Sequence, residues 1–241
     1  MITSQLISGQ KDLMFGYAWW LIEPLLLTLV YWFLVSVIFK RGGPDYPLFV
    51  LCGIVPYRAF AISVNQSVSA LTSSYGLIGQ ISFPHIYLPV TNVIVNHVKL
   101  LFGFLVIGFF SIFYQEKITC TVFFLVLPYV AQILLLCGLS LILSIVGLFF
   151  RDLKNLMQFF MRIILYMSPV LYSLDRIPEK YQTLYLINPV ASLILCYRDI
   201  LLYGRLPDPG LLLLCLTEAA LLVLLGLWFF SRNDYNILKK L

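Results

Sequence analysis

Charged side chains are scarce in this 241-residue chain, where Asp, Glu, Lys and Arg together make up 11% of the residues. Soluble domains usually carry about 25%. Hydrophobic residues make up 61% of the chain, which excludes an ordinary soluble domain and predicts an integral membrane protein. The net charge of +5 is spread along the chain without a basic, aromatic-interleaved patch, so a nucleic-acid partner is not expected.

The sequence also lacks the motifs of ATP binding and of common hydrolytic chemistry. It contains no GxxxxGK[ST] loop, no GxSxG or HExxH motif, and no paired carboxylates. The two histidines, His85 and His97, have no cysteine or carboxylate cluster near them, so no metal site is predicted. The five cysteines lie far apart, mostly in apolar runs, and are predicted to be free, buried thiols.

What the chain has instead is a series of long apolar runs. They predict an all-α membrane protein, a single transmembrane domain over residues 1–241, with spans at about 20–39, 47–71, 90–113, 121–150, 156–174 and 210–230. Residues 1–18 are predicted to form an interfacial helix, and the Gly- and Pro-containing stretch 75–89 a turn and short helix outside the bilayer core. Six spans put both termini on one side. The count of cations is seven on each side, so the charges do not decide which side that is.

The stretch 168–209 is apolar enough to enter a membrane but is broken by Asn188-Pro189. Proline removes a backbone donor and disfavours helix at the residue before it, so two short helices are predicted, over 181–187 and 190–203. Irregular backbone at membrane depth is tolerated only inside protein or beside water. We therefore expect these helices to dip into the membrane beside a water-filled path. Four acidic and four basic residues surround them: Asp175, Arg176, Glu179, Lys180, Arg198, Asp199, Arg205 and Asp208.

Two sets of side chains are candidates for contact with a substrate. Arg58 and Lys99 lie deepest in the apolar runs; they either face a conduit for an anionic substrate or form ion pairs and snorkel to the interface. The tyrosines near the broken stretch either belong to an aromatic belt at the membrane surface or stack on sugar rings. These tyrosines are Tyr166, Tyr172, Tyr181, Tyr185 and Tyr197.

Several motifs, in order along nearly the whole chain, resemble those of one family. They are GYAWWLIEPLLLTLVYWFLVSVIF (16–39), FVLCGIVPYRAF (49–60), ISFPHIYLPV (81–90), FFRDLKN (149–155) and MSPVLYSLDRIPEKYQTLYLINPVASLILCYRDILLYG (167–204). The first resembles the G-x-x-W-x-x-x-x-P entry into the first span of permease subunits of polysaccharide-exporting ABC transporters. The last resembles that family's S-P-V-x-Y, N-P and Y-R-x-x-L-x-x-G series.

The resemblance implies a six-span permease with both termini cytoplasmic, in a bacterial inner membrane. Two copies would form the pathway for a lipid-linked polysaccharide (a capsular polymer, O-antigen or teichoic acid), and two separate subunits would bind ATP and Mg, leaving no cofactor on this chain. The broken stretch would be a pair of re-entrant gate helices, with gate residues Pro169, Asn188, Pro189, Arg198 and Asp199. The ATP-binding subunits would contact Lys11, Asp12, Gly79, Ser82, Phe83, Pro84 and His85.

Two other interpretations stay open at this point. A drug or lipid exporter with the same fold would share the spans. The SPVLY and NP…YRD stretches would not be expected in such an exporter. A membrane-embedded glycosyl- or acyltransferase would require polar catalytic residues gathered at one depth. The ionisable residues inside the apolar runs are instead scattered along the sequence: Glu23, Arg58, His97, Lys99, Arg162 and Glu218.

Overall fold

The structure, a computed structural model, describes residues 18–40, 43–74, 84–113 and 120–240, with side chains as far as Asn233. Every regular element in those ranges is helical. The α-helices are α1 (Trp19–Trp32, continued by a π-helix over Phe33–Ile38), α2 (Tyr46–Val68), α3 (Tyr87–Phe113), α4 (Val126–Phe149), α5 (Leu153–Met167), α6 (Glu179–Leu186), α7 (Pro189–Leu201) and α8 (Pro209–Lys240). Short 3-10 turns cover Thr72–Ser74, Cys120–Leu125 and Leu174–Arg176.

Five helical segments in the described part are long and apolar enough to cross a membrane, and six if α6 and α7 together count as one. They are Trp19–Ile38, Tyr46–Val68, Tyr87–Phe113, Cys120–Phe149 and Pro209–Asn233. This makes the protein an all-helical, multi-pass membrane protein. The predicted interfacial helix over residues 1–18 lies, apart from Ala18, outside the described residues.

The predicted fifth span corresponds to α5, which is only 15 residues long. The helix ends at Met167 because Ser168, with an extended backbone (ψ 153°), is followed by Pro169, and proline disfavours helix at the preceding residue. Residues 168–173, which the sequence pattern placed inside the span, form an irregular turn instead.

The long helices alternate in direction, so the molecule has two ends. At one end, which we call the proximal end, the start of α3 and the end of α4 pack with the C-terminal part of α8 through Leu88, Leu148 and Phe230. At the other, the distal end, the Tyr46 hydroxyl at the start of α2 donates to the carbonyl oxygen of Leu171, 3.0 Å away. Residues 168–208, which connect α5 to α8 and include α6 and α7, lie towards the distal end.

Helix α2 forms the centre of the fold. Over an apolar stretch of 18 residues in each helix, 72% of the residues are buried in α2, against 11% in α1 and 17% in α8. An apolar helix with little surface buried in its own chain must contact lipid or another protein in the membrane. Helices α1 and α8 therefore lie at the outside of the single chain.

Glycines allow α4 to approach its neighbours closely. A Cβ on Gly138 would overlap the backbone of Leu222 in α8, and one on Gly226 would overlap the backbone of Gly138. Near the proximal end, a Cβ on Gly147 would overlap the carbonyl group of Val68 in α2. Small residues at helix crossings are typical of membrane proteins, where close packing has to replace the hydrophobic effect between helices.

Candidate functional site

Arg58 and Lys99, the two deep cations, lie in one cleft between α1, α2 and α3. This proximal cleft has a volume of about 490 Å³ and also contains Trp20, Glu23 and Gln66. Arg58 forms a salt bridge with Glu23 of α1, and the Lys99 ammonium lies 5.6 Å from the centre of the Trp20 ring. Arg58 is thus ion-paired, as one interpretation expected, and both cations line an open cleft; their place in a substrate conduit stays a prediction.

Helix α5 presents a polar stripe that runs from the proximal towards the distal end. Successive residues are rotated by about 100° around an α-helix, so residues separated by three or four positions share a face. The polar stripe consists of Asn155, Gln158, Arg162 and Tyr166, all exposed in the single chain. Polar groups at membrane depth require water or a polar partner, so this face cannot lie against lipid chains.

The other two faces of α5 are apolar. One contains Met161, which is buried and supplies the carbonyl oxygen that accepts a hydrogen bond from Tyr57 of α2. The other contains Leu156, Phe160 and Met167, which are exposed. The helix therefore separates the protein core, an apolar surface and a polar surface.

Sequence reasoning identified Tyr166 in this stripe but missed Asn155 and Gln158. Ionisable groups and tyrosines stand out in an apolar segment, whereas the two neutral amides of α5 do not. The signal was available in the spacing, because Asn155, Gln158, Arg162 and Tyr166 recur at intervals of three, four and four residues within an apolar segment.

A second cleft lies at the distal end, beside the turn that follows α5. This distal cleft has a volume of about 540 Å³. Tyrosine rings and ionisable groups line it together: Asp45, Tyr46, Tyr172, Asp175, Arg176 and Tyr203. Carboxylates that accept hydrogen bonds beside aromatic faces are suited to polyhydroxylated ligands, whose hydroxyls donate and whose C–H faces stack.

The predicted substrate-path tyrosines separate into groups in the structure. The Tyr172 hydroxyl donates to the carbonyl oxygen of Tyr166, 2.8 Å away, and also hydrogen-bonds to the Tyr185 hydroxyl. Burial, together with the bond to Tyr185, raises the pKa of Tyr172, so its hydroxyl stays protonated. Tyr181 is exposed on α6, next to the Lys180 ammonium. Tyr166, Tyr172 and Tyr185 thus meet at the distal end of α5, and the role of all four tyrosines as substrate contacts stays a prediction.

Tyr197, the fifth predicted tyrosine, is fully buried instead. Its hydroxyl donates to the Oε1 atom of Gln132, 2.8 Å away, and the Nε2 atom of Gln132 donates to the carbonyl oxygen of Pro56, 3.0 Å away. This chain of hydrogen bonds connects α7, α4 and α2. In this conformation Tyr197 lies in the helix packing and on neither cleft.

The predicted break at Asn188-Pro189 is present, and α6 and α7 meet there at 99°. Asn188 caps α7, with its Oδ1 atom accepting from the Val190 backbone N–H at 3.1 Å. Its Nδ2 atom donates to the Ser168 hydroxyl, 2.8 Å away. Pro189 takes the first helical position, where the missing N–H costs nothing. One asparagine therefore starts α7 and ties it to the turn after α5.

Arg198 on α7 is the most deeply buried charged side chain among the described residues. Its guanidinium donates to the carbonyl oxygens of Pro169 and Val170, and more weakly to those of Tyr172 (3.4 Å) and Phe49 (3.3 Å). The Phe49 ring lies 3.5 Å from the guanidinium carbon. Arg198 thus holds the turn after α5 against α2 and α7.

Asp199, the neighbouring gate residue, does not pair with Arg198. Its Oδ1 atom accepts from the Arg205 guanidinium and lies 2.8 Å from Nε and 2.7 Å from the terminal nitrogen Nη2. The hydrogen bond raises the pKa of Arg205, which is largely exposed. The predicted charge balance of the broken stretch therefore includes one ion pair between a buried carboxylate and an exposed arginine, and one buried arginine that contacts carbonyl oxygens and an aromatic ring. The gate roles of these residues stay predictions.

The residues predicted to contact ATP-binding subunits are mostly outside the described ranges, namely Lys11, Asp12, Gly79, Ser82 and Phe83. Pro84 and His85 are described and form the turn before α3, where the Pro84 carbonyl accepts from the Tyr87 N–H at 3.2 Å. This turn is at the proximal end. No group of three or more His, Cys, Asp or Glu side chains within the described ranges is arranged to hold a metal ion.

Comparison with known proteins places the chain in a family. The family model for ABC-2 type transporters matches residues 4–202. The chain belongs to the ABC-2 type transporter family. This ABC-2 chain is 30% identical to the O-antigen export system permease protein RfbA of Klebsiella pneumoniae over 227 residues, covering 94% of this chain and 87% of the relative.

Two more relatives of this ABC-2 chain are also named as exporters or transporters of surface polymers. The O-antigen export system permease protein RfbA of Myxococcus xanthus is 27% identical over 97% of this chain and 91% of its own length. The polysialic acid transport protein KpsM of Escherichia coli is 25% identical over 80% of this chain and 76% of its own length. The protein is thus a transporter subunit, and its family implies association with ATP-binding subunits.

Proposed function

We propose that this chain is the membrane-spanning subunit of an exporter that moves a lipid-linked cell-surface polysaccharide across the bacterial inner membrane. Two copies of the chain form the pathway, and two separate subunits bind and hydrolyse ATP with Mg. The observation that carries this proposal is the match to O-antigen export permeases along 94–97% of the chain. A match of this extent covers the clefts, α5 and the broken stretch together.

The polar stripe on α5 supports a pathway between two copies. Its amides, guanidinium and phenol can exchange hydrogen bonds with sugar hydroxyls as a polymer moves past. Because the stripe is exposed in the single chain, water or a second copy must cover it in the membrane. In this proposal the proximal end faces the cytoplasm, with Pro84, His85 and the stretch before them against the ATP-binding subunits.

The first prediction concerns energy coupling. The purified chain should show no ATP hydrolysis, since its sequence has no phosphate-binding loop. The purified complex with the ATP-binding subunit should hydrolyse ATP. In cells that lack the exporter, expression of both subunits should restore surface polysaccharide. Phosphate release and polysaccharide immunoblots measure the two outcomes. Hydrolysis by the chain alone, or surface polymer in cells without the ATP-binding subunit, would contradict the proposal.

The second prediction concerns the α5 stripe. Replacing Gln158 with leucine removes hydrogen-bonding groups from the pathway and should reduce surface polysaccharide severalfold, with the complex still assembled. Leu156→Ala, on the apolar exposed face of the same helix, is the matched control and should leave export within about twofold of wild type. Pulse-labelled polymer at the cell surface gives the rate. Equal export by both variants would remove the stripe from the pathway.

The drug-exporter alternative makes a different prediction for the same pair of variants. Apolar drugs do not depend on a series of amide and hydroxyl groups, so efflux of a lipophilic dye should be insensitive to Gln158→Leu. No described contact favours that alternative or the transferase.

A further inference from the structure

The proximal cleft carries more positive than negative charge. Arg58 is ten residues from the end of α2, and its partner Glu23 is only four residues into α1 from Trp19, so the cleft reaches the proximal surface of the membrane. Glu23 is the one carboxylate among the described residues that line the cleft, and it is paired with Arg58. Lys99 lies against the Trp20 ring and is also attracted by the Glu23 carboxylate that pairs with Arg58. One carboxylate between two cations leaves a net positive charge in largely apolar surroundings, so an anion is expected to complete the site.

The polar groups of the cleft are mainly hydrogen-bond donors, and its acceptors are the Glu23 carboxylate and the Oδ1 atom of Asn96. The terminal nitrogen of Arg58 that does not meet Glu23 is buried and has no hydrogen-bond partner in the described ranges. The Gln66 Oε1 atom is occupied by the Asn96 amide at 2.9 Å, which leaves the Gln66 amide N–H groups to donate. Two cations and an amide donor around one space favour a ligand with several anionic oxygens, as in a phosphate group.

The remaining walls of the cleft are apolar. Val55, Leu100 and Gly103 line it, and α1, which closes one side, is itself largely exposed to the membrane. Trp20 is near the start of α1, at the depth that indole rings prefer in a bilayer. A ligand for this space therefore combines an anionic head with apolar chains. That combination describes a lipid rather than a soluble anion.

We propose that the proximal cleft binds the phosphate-bearing headgroup of a membrane lipid, with Arg58 and Lys99 on the phosphate oxygens. Glu23 orients the Arg58 guanidinium through one side and leaves its other nitrogen for the ligand. The lipid chains lie along α1 and α3. The site is independent of which polymer the exporter moves. The identification of this lipid as the polymer's own anchor rests on the proposed function.

The test uses the complex of this chain with its ATP-binding subunit in neutral detergent micelles. The probes are phosphatidic acid with brominated chains, which quench nearby tryptophans, and brominated diacylglycerol with the same chains but no phosphate. With Trp32 and Trp228 replaced by phenylalanine, because both are exposed outside the cleft, phosphatidic acid should quench Trp19 and Trp20 saturably, and diacylglycerol should not. Lys99→Gln and Arg58→Gln should each weaken phosphatidic acid binding about tenfold.

Matched variants separate loss of the site from loss of the fold. Lys154→Gln removes an exposed cation at the start of α5, outside the cleft, and should bind as wild type. Lys99→Arg keeps the charge and should retain binding within about threefold. Equal quenching by diacylglycerol, or unchanged phosphatidic acid binding in both Lys99→Gln and Arg58→Gln, would overturn the proposal.

A competition experiment distinguishes the two sources of phosphate. If polyprenyl diphosphate displaces the brominated phosphatidic acid at a concentration at least tenfold lower than unlabelled phosphatidic acid does, the lipid is a polymer anchor. If the two competitors act at equal concentrations, the site binds phospholipids in general. Either result supports a phosphate-headgroup site. If wild-type complex binds phosphatidic acid as expected but fails to restore surface polysaccharide, the proposed function is wrong and this inference stands.

Discussion

Replacing Arg198 with alanine is expected to lower the free energy of unfolding by about 3–5 kcal/mol. Its guanidinium satisfies the carbonyls of Pro169, Val170, Tyr172 and Phe49 at a buried position. Alanine leaves these acceptors buried without a donor and opens a cavity beside the Phe49 ring. Unfolding in mixed micelles, followed by circular dichroism, gives the change directly.

Two further variants test whether the guanidinium geometry matters. Arg198→Lys keeps the positive charge but cannot reach carbonyls on both sides, so it should recover only part of the lost stability. Arg232→Ala removes an exposed arginine near the C-terminal end of α8 and should cost no more than about 1 kcal/mol. An Arg198→Ala protein as stable as Arg232→Ala would contradict the anchoring role.

The second large effect is expected at the crossing of α4 and α8. In Gly138→Ala the new methyl group overlaps the backbone of Leu222, which cannot move aside as a flexible side chain would. The two helices must separate, and we expect a loss of about 3 kcal/mol in unfolding free energy. Gly138→Leu should prevent accumulation of folded protein in the membrane.

Gly108 provides the matched control for this substitution. It also lies in a membrane-spanning helix, α3, and a Cβ there would have nothing within 4 Å. Gly108→Ala should be neutral or stabilise the protein by up to about 1 kcal/mol, because alanine is the better helix former. Similar thermal midpoints for the two alanine variants would show that the α4–α8 contact is looser than described.

The sequence predicted those features that depend on local chemistry. The break at Asn188-Pro189 follows from the missing proline N–H and from the asparagine cap, both of which act within a few residues. The long apolar helices follow from composition alone. The predicted end of the fifth span, at about residue 174, is several residues beyond the observed end of α5 at Met167. The apolar residues on both sides of Pro169 continue the pattern of the span, although the proline ends the helix.

Features that depend on the packing of distant segments could not be predicted in detail. The depth of Arg58 and Lys99 in their apolar runs indicated that they needed partners. Their meeting in one cleft depends on how α2 and α3 rotate against α1. Likewise, nothing local distinguishes Arg198, which is fully buried, from Arg205, which is exposed seven residues later. Tyr197 was grouped with the surface tyrosines because burial of a tyrosine depends on a distant acceptor, here Gln132.

The shortness of α5 has a consequence for the membrane itself. Fifteen residues give a helix of roughly 22 Å, whereas the hydrocarbon core of a bilayer is about 30 Å thick. A helix this short surrounded by lipid would force the bilayer to thin around it, at a cost that grows with each ångström of mismatch. In the proposed dimer, a second copy shields α5, with water along the polar face, and this removes the mismatch. We therefore expect α5 at the inside of that assembly and the longer helices α1, α3 and α8 at the outer contour that matches the bilayer.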